Sequence, residues 1–462
     1  MKKFIKRMML VVLVMALAWA IHYAYISFPI ISGYGAKQMC TCIFASGMDK
    51  AYLEKNELGD FPLSLASYEV NMKDSSVTGS VWGMAKKKAI YRKGIGATLI
   101  NDISEAALRS QVFNIPPPPV LKTDTIPWPM GDKLPDSLPA DINKEKLLSA
   151  VDKAFEEPFT DKKVRTRAVV VLYNGQLVAE KYAPGFNKNM PMYGWSMAKS
   201  FTASLIGTLV KQGKLNITKP APVPEWSDPK DPRHAITLEN LLQQQSGLGF
   251  KEDYTGASDV TNMLYKEDDM AAFTAGHKLV NTPGTVFNYT SGNSNIISRI
   301  IRQTVGEQDY AAYPANALFN KIGMYSAFFE PDASGTYVGS SYIMATARDY
   351  ARFGLLYYND GICNGERILP EGWVHQTAAA PASNKTKEYG YQFWLNGIDT
   401  TNLSKRIYPD VPADMYYCDG YGYQNIYIIP SKKIVVVRLG LTLDKSFDEN
   451  TFLKNIIAAI TD

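Results

Sequence analysis

Gly194-Trp195-Ser196-Met197-Ala198-Lys199-Ser200-Phe201-Thr202-Ala203-Ser204-Leu205 sets a hydroxyl and an amine three residues apart at the start of a helical pattern. That spacing puts both groups on one helix face. A serine hydroxyl is a weak nucleophile until a neighbouring base takes its proton. The unpaired N–H groups of a helix N-terminus can also face a developing oxyanion. Met197, Phe201, Leu205 and Leu209 form an apolar stripe at spacings of four, and Gly213 supplies the stop after about Gln212. A second Ser-x-x-Lys, Ser227-Asp228-Pro229-Lys230, carries a proline that removes the helical geometry. On spacing alone, an N-cap serine beside a solvated lysine is the stronger reading of the Ser196 pair.

Outward from this helix, the pattern alternates between sheet and helix. Asn143 to Glu157 has helical spacing, and Arg167–Tyr173 and Gln176–Tyr182 flank Asn174-Gly175, a hairpin signal. Thr237 to Leu242 and Ile296 to Val305 read as helical. Gln424–Ile429 and Ile434–Leu441 read as strands, and Phe447 to Ile460 as a closing helix. Strands at both ends with helices between predict an antiparallel sheet built from both ends, helices packed on its faces.

Two further segments carry candidate chemistry. Pro283-Gly284-Thr285-Val286-Phe287-Asn288-Tyr289-Thr290-Ser291-Gly292-Asn293 places Tyr289 at the end of a turn. A tyrosine hydroxyl near a lysine ammonium ionises more easily and can relay a proton to a leaving group. The sequence holds 28 tyrosines, so a packed core tyrosine fits as well. Cys418-Asp419-Gly420-Tyr421-Gly422-Tyr423-Gln424 leads into a strand. Small residues there let substrate approach a strand edge whose N–H groups complete an oxyanion hole. A plain Gly-rich turn is the alternative.

The N-terminus opens Met-Lys-Lys-Phe-Ile-Lys-Arg, followed by an apolar run from Met8 to Ile31 with no charged residue before Lys37. About 20 apolar residues cross a bilayer, and the leading cations predict a cytoplasmic N-terminus with the rest of the chain outside. A transmembrane signal anchor over 1–32 is expected, with a signal peptide cleaved near Ala16-Leu17-Ala18 as the alternative, leaving a secreted chain. Residues 33–121 form a small α/β region of unassigned role, with β segments at Ser76–Trp82 and Lys88–Arg92 and a short helix within Asn101–Gln111. Pro116 to Pro119 and Pro127-Trp128-Pro129 mark 122–142 as a linker or strap. The catalytic-type region is then 143–462. The formal net charge of +4 disfavours nucleic acid as a partner. Four scattered histidines and four cysteines show no metal-ligand spacing and no disulfide framework.

Ser196-Met-Ala-Lys199, Tyr289-Thr-Ser291 and the Gly-rich turn before the penultimate strand stand in the order of the serine β-lactamase and penicillin-binding-protein-like superfamily. The chain resembles that superfamily from about Asn143 to Asp462. Its closest likeness is to the class C β-lactamase-related hydrolases, which include 6-aminohexanoate-dimer (nylon-oligomer) hydrolases and serine carboxylesterases. Gln245-Ser246-Gly247-Leu248, Gly339-Ser340-Ser341-Tyr342 and Ala345-Thr346-Ala347-Arg348-Asp349-Tyr350 carry the likeness further. The resemblance implies an α/β (α+β) fold: a β-lactamase/transpeptidase-like antiparallel sheet flanked by helices, plus a helical subdomain. It implies Ser196 as acylated nucleophile, Lys199 as proton acceptor and Tyr289 as proton relay. Ser291 takes the place of a second hydrogen-bonding side chain, and the N–H groups of Ser196 and Tyr421 that of the oxyanion hole, with Gly420 beside them. Tyr254 resembles a loop tyrosine that covers substrate. No cofactor and no metal is implied, and the substrate is a small ester or amide.

One triplet departs from the family. Where β-lactamases and penicillin-binding proteins carry Lys-Thr-Gly, this chain has Cys418-Asp419-Gly420. The lysine's charge for a substrate carboxylate is missing, and Asp419 is expected to add negative charge there. Two alternatives to an ester or amide hydrolase follow: a catalytically retired, membrane-tethered binding or sensor protein, and a cell-wall D-amino-acid peptidase or β-lactamase.

Overall fold

The computed structural model describes residues 2–117, 119 and 121–460; Pro118, inside the proline run, lies outside the described residues. The chain divides into two compact units, one comprising Met1–Gln111, Lys251–Asp269 and Asp332–Ser334, the other Val112–Phe250, Met270–Pro331 and Gly335–Asp462. The 33–121 region read from the sequence is thus joined by two later segments.

In the first unit a single helix, α1 (Lys2–Phe44), runs well past the apolar stretch that ends at Ile31. Residues 3–23 are exposed along their whole length, whereas Ile31, Ala36, Met39 and Cys40 are buried. What covers this second half is a four-stranded antiparallel sheet in the order β1 (Ala66–Asn71), β2 (Ser76–Val81), β3 (Met84–Arg92), β4 (Gly96–Ile100). Gly35 makes the approach possible, since a Cβ there would stand 2.0 Å from the Tyr68 hydroxyl. The helix expected within 101–111 is Glu105–Ser110, capped by the Ser104 side chain.

In the second unit, α2 (Lys144–Lys153) precedes the hairpin β5 (Thr166–Tyr173) and β6 (Gln176–Tyr182), closed by Asn174 and Gly175 at φ +47° and +79°. Both residues take the left-handed conformation that a two-residue turn requires. After α3 (Ala198–Lys211), α4 (Ser291–Val305) and α5 (Ala347–Tyr358) come β7 (Trp394–Leu395), β8 (Tyr416–Gly420), β9 (Gln424–Ile429), β10 (Ile434–Gly440) and α6 (Glu449–Ile457). The sheet is antiparallel in the order β7-β8-β9-β10-β5-β6, so strands from both ends of the segment meet where β10 pairs with β5.

Every residue of β5, β9 and β10 is buried, as a sheet covered on both faces demands. Val170, Cys418, Ile426 and Val437 belong to the core that includes Phe201 and Phe353 of α3 and α5. Val169, Tyr417, Tyr427 and Val436 belong to a second core with Leu147 of α2 and Leu453 of α6. Each such side chain taken out of water contributes about 1.5–3 kcal/mol. The proline strap is tied down within this unit. The Trp128 indole donates to the Gly175 carbonyl at 2.9 Å, and Arg352 donates to the carbonyls of Pro129 and Gly131 at 2.6 and 2.7 Å.

Candidate active site

Ser196 sits in a single 3₁₀ turn, Trp195–Met197, that leads into α3, rather than in the first turn of the α-helix itself. Trp195 enters the turn at φ +47°, a conformation costly for a bulky side chain. Its ring is clamped in place, stacked on Tyr193 at 4.8 Å and met edge-on by Tyr421 at 5.6 Å. The Tyr193 hydroxyl in turn donates to the fully buried Glu330 at 3.0 Å.

Lys199 lies one helical turn on, and its side chain is 1% exposed. Its Nζ donates to Ser196 Oγ at 3.0 Å, to Ser291 Oγ at 3.1 Å and to the Ser340 carbonyl at 2.9 Å. Three acceptors match the three protons of an ammonium, and they fix the nitrogen against the half-buried serine hydroxyl. The nitrogen also stands 4.9 Å from the centre of the Tyr289 ring. That ring packs against Trp394 of β7 at 5.2 Å and Tyr389 at 5.8 Å.

Tyr289 and Ser291 are positioned by the start of α4. Thr290 caps the helix by accepting from the Asn293 N–H. Gln244 then pins the segment: its Oε1 accepts from the Thr290 N–H at 3.1 Å and from Asn293 Nδ2 at 2.8 Å, while its Nε2 donates to the Thr290 carbonyl at 3.0 Å. A buried polar group must be satisfied to be tolerated, and here its satisfaction fixes the register of the tyrosine.

Ser196, Lys199, Tyr289 and Ser291 are therefore brought together. Ser291, expected as a second hydrogen-bonding side chain, is fully buried and accepts from Lys199. Gly420 differs from its expected role. The space that a substrate was expected to use is taken by the chain, because a Cβ at Gly420 would stand 2.2 Å from the Gly194 carbonyl oxygen. The absent side chain lets the end of β8 close on the turn that carries Ser196, and Tyr421 follows beside Trp195. Tyr254 belongs to the other unit, where it is 55% exposed and its hydroxyl donates to Glu252 at 2.8 Å.

The third-strand triplet also requires a correction. Side chains alternate along a strand, so Cys418 and Gly420 face α3 and Asp419 faces away. Asp419 pairs with Asn425, whose Nδ2 donates to it at 2.8 Å, and Asn425 in turn pairs with Arg438, which lies over Phe447 of the second core. Burial, reinforced by Glu449, pushes the Asp419 carboxyl up to about 7, with Lys199 and the Asn425 bond pulling it down. The expected repulsion of an anionic substrate by Asp419 thus gives way to a simpler fact. The position of the family lysine holds Cys418, fully buried, its thiol pushed up by burial. A buried neutral thiol offers a carboxylate nothing.

The Ser340 carbonyl was missed by sequence reasoning. Gly339-Ser340-Ser341-Tyr342 stood out as a family-like segment, but a backbone acceptor leaves no residue-type signal.

The sequence matches the beta-lactamase family over residues 151–454, and the chain belongs to that family. It is 24% identical over 318 residues to the 6-aminohexanoate-dimer hydrolase of Paenarthrobacter ureafaciens, covering 63% of this chain and 75% of that one. Among solved structures it resembles a candidate 6-aminohexanoate-dimer hydrolase from Bacillus anthracis, with a TM-score of 0.55 at 24% identity over 71% of this chain and 87% of the other. A family VIII carboxylesterase superposes with a TM-score of 0.53 at 14% identity, over 71% and 97% of the two chains. The fold expected from the sequence is the fold observed: a β-lactamase-like antiparallel sheet flanked by helices, with a long apolar N-terminal helix.

Proposed function

We propose that the chain is a membrane-tethered serine hydrolase that cleaves a small, uncharged ester or amide through an acyl-enzyme on Ser196. The observation that carries this is the Lys199 nitrogen, held by three acceptors and 3.0 Å from Ser196 Oγ. With Lys199 in its amine form, its two N–H groups donate to Ser291 and the Ser340 carbonyl, and its lone pair takes the serine proton as Oγ attacks the substrate carbonyl carbon. The N–H groups of Ser196 and Tyr421 receive the resulting oxyanion. Collapse expels the alkoxide or amine, which takes up a proton relayed from Lys199 through the Tyr289 hydroxyl. Water then attacks the acyl carbon along the same proton route and frees Ser196.

The aromatic surroundings, Trp195 and Tyr421 on one side and Tyr289 and Trp394 on the other, favour an uncharged substrate. So does Cys418 in place of a cation, which counts against the peptidase and β-lactamase readings. The similarity to a 6-aminohexanoate-dimer hydrolase supports the same class, and the fold is shared with a family VIII carboxylesterase. The exposed apolar stretch of α1 is long enough to cross a bilayer, which supports an anchor, and the cations before Met8 support a reading with the catalytic region outside the cytoplasm.

The test is Ser196→Ala. The parent should label with a fluorophosphonate probe and turn over a short p-nitrophenyl ester, and the variant should do neither. A variant that labels and turns over like the parent removes Ser196 from the chemistry.

A further inference from the structure

We infer that the tip of the β2–β3 hairpin, Trp82 with Met84, is a second membrane contact that seats the first unit in the lipid headgroup layer; this rests on the reading of α1 as a bilayer span. A helix rises 1.5 Å per residue, and the hydrocarbon core is about 30 Å thick. Counted from Met8, the first residue after the leading cations, about 20 residues of helix reach the opposite interface near Phe28. The chain changes character at that level: residues 3–23 are exposed, and Ser27 and Phe28 are buried.

The hairpin tip lies at this depth. Trp82 meets the Phe28 ring edge-on at 5.4 Å, and Ser32 Oγ donates to the Ala85 carbonyl at 2.6 Å. Phe28, Ile31 and Val81 form a small core there, with Leu63, Leu65 and Ala85 packed around it. Yet the outermost residues are left uncovered. Trp82 is 67% exposed, Met84 52%, and Phe61, two residues before Leu63, 77%. On the same unit, Lys266 Nζ donates to the Ile26 carbonyl at 2.8 Å, and Lys86 is exposed beside the tip. Aromatic rings and lysines grouped at the end of a span are the residues that a headgroup layer accommodates.

The turn itself argues in the same direction. Trp82 and Gly83 adopt φ +52° and +78°, nearly the values of Asn174 and Gly175 in the β5–β6 turn. Asparagine takes the first of these positions with little cost, whereas a bulky residue does not. The edge-on contact with Phe28 uses only part of the Trp82 ring, and the 67% left exposed gains nothing from the hairpin in return for the strained backbone. Contact with lipid accounts for its presence, since an indole leaving water for an interface recovers free energy in proportion to the apolar area covered.

The test uses the full-length chain reconstituted into vesicles of phosphatidylcholine and phosphatidylglycerol, with an environment-sensitive NBD label at Trp82→Cys, at Met84→Cys, or at Lys93→Cys. Lys93 follows Tyr91, which stacks on Phe44 at the far end of α1. The four native cysteines are buried and leave the introduced thiol as the reactive one. Labels at 82 and 84 should show blue-shifted emission and loss of intensity with shallow doxyl-lipid quenchers, while the label at 93 shows neither. If the protein floats with vesicles but labels at 82 and 84 report water, the headgroup contact is wrong and the span stands. If the protein does not float with vesicles, the span fails and the contact with it.

Discussion

Replacing Gly420 by alanine should cripple turnover without touching any side chain that does chemistry. Gly420 ends β8, and its φ lies outside the left-handed region, so a methyl group brings no backbone penalty of its own. What it brings is a collision: the new Cβ would stand 2.2 Å from the Gly194 carbonyl oxygen and 3.2 Å from Gln424 Cβ. Ordinary contacts between such atoms lie near 3.5 Å, so the strand end and the Ser196 turn must separate by ~1 Å. A misplacement of that size costs about 10²-fold in rate, equivalent to about 2.7 kcal/mol in the barrier. Overpacking should also lower stability by about 1–3 kcal/mol. The assay is kcat/KM on a p-nitrophenyl ester, paired with thermal unfolding so that lost activity is not lost protein. A Gly420→Ala protein within about threefold of the parent in kcat/KM would refute the idea that β8 must close on Gly194 to build the site.

Other outcomes follow from the same geometry. Lys199→Ala should lose about 10²–10⁴ in kcat as general-base catalysis disappears. It should also unfold earlier in calorimetry, because the Ser291 hydroxyl and the Ser340 carbonyl each lose a donor at a cost of about 1–3 kcal/mol. Tyr289→Phe keeps the ring against Trp394 and Tyr389 and removes only the hydroxyl, so kcat should fall by about 10²-fold or more with an unchanged melting temperature; near-parental kcat would exclude the relay. For Asp419, a folded value of about 7 against an ordinary 3.8 means the native state holds the proton more tightly. Its stabilising contribution is therefore complete below about pH 4 and lost as pH rises through 7. Asp419→Asn should flatten that slope in denaturant titrations between pH 4 and 8, by on the order of 1–4 kcal/mol; an identical slope in parent and variant would place the titration elsewhere.

The hairpin and the two closing strands were legible because local chemistry states them. An Asn-Gly turn between β-branched runs leaves one answer, and the observed β9 and β10 end within a residue of the expected bounds. The Ser196–Lys199 pair was legible as helical spacing, and Tyr289 as the end of a turn, although the helix after it begins at Ser291 rather than at Ile296. The contacts that give those residues their meaning were not. Lys199 finds Ser340 141 positions away through a backbone carbonyl, and Gly420 is required because Gly194 passes behind it, a fact of packing rather than of turn preference. Asp419 was misread because a three-residue motif does not say which of its side chains face the serine; the strand's alternation decides that.

The far half of α1 was hidden for a related reason. Gly33, Gly35 and Lys37 look like the end of an apolar helix, but the helix continues because a sheet packs closely around it. The strand β1 buries only Tyr68, too little apolar pattern to announce itself.

The central claim is that an acyl group rests on Ser196, and mass spectrometry of acid-quenched protein tests it directly. Full-length protein mixed with a short-chain p-nitrophenyl ester and quenched during turnover should carry the mass of the acyl group on the peptide containing Ser196. The adduct should be absent from Ser196→Ala. An adduct confined to any other peptide, or rapid turnover with no adduct on parent protein across ester and amide substrates, would contradict it.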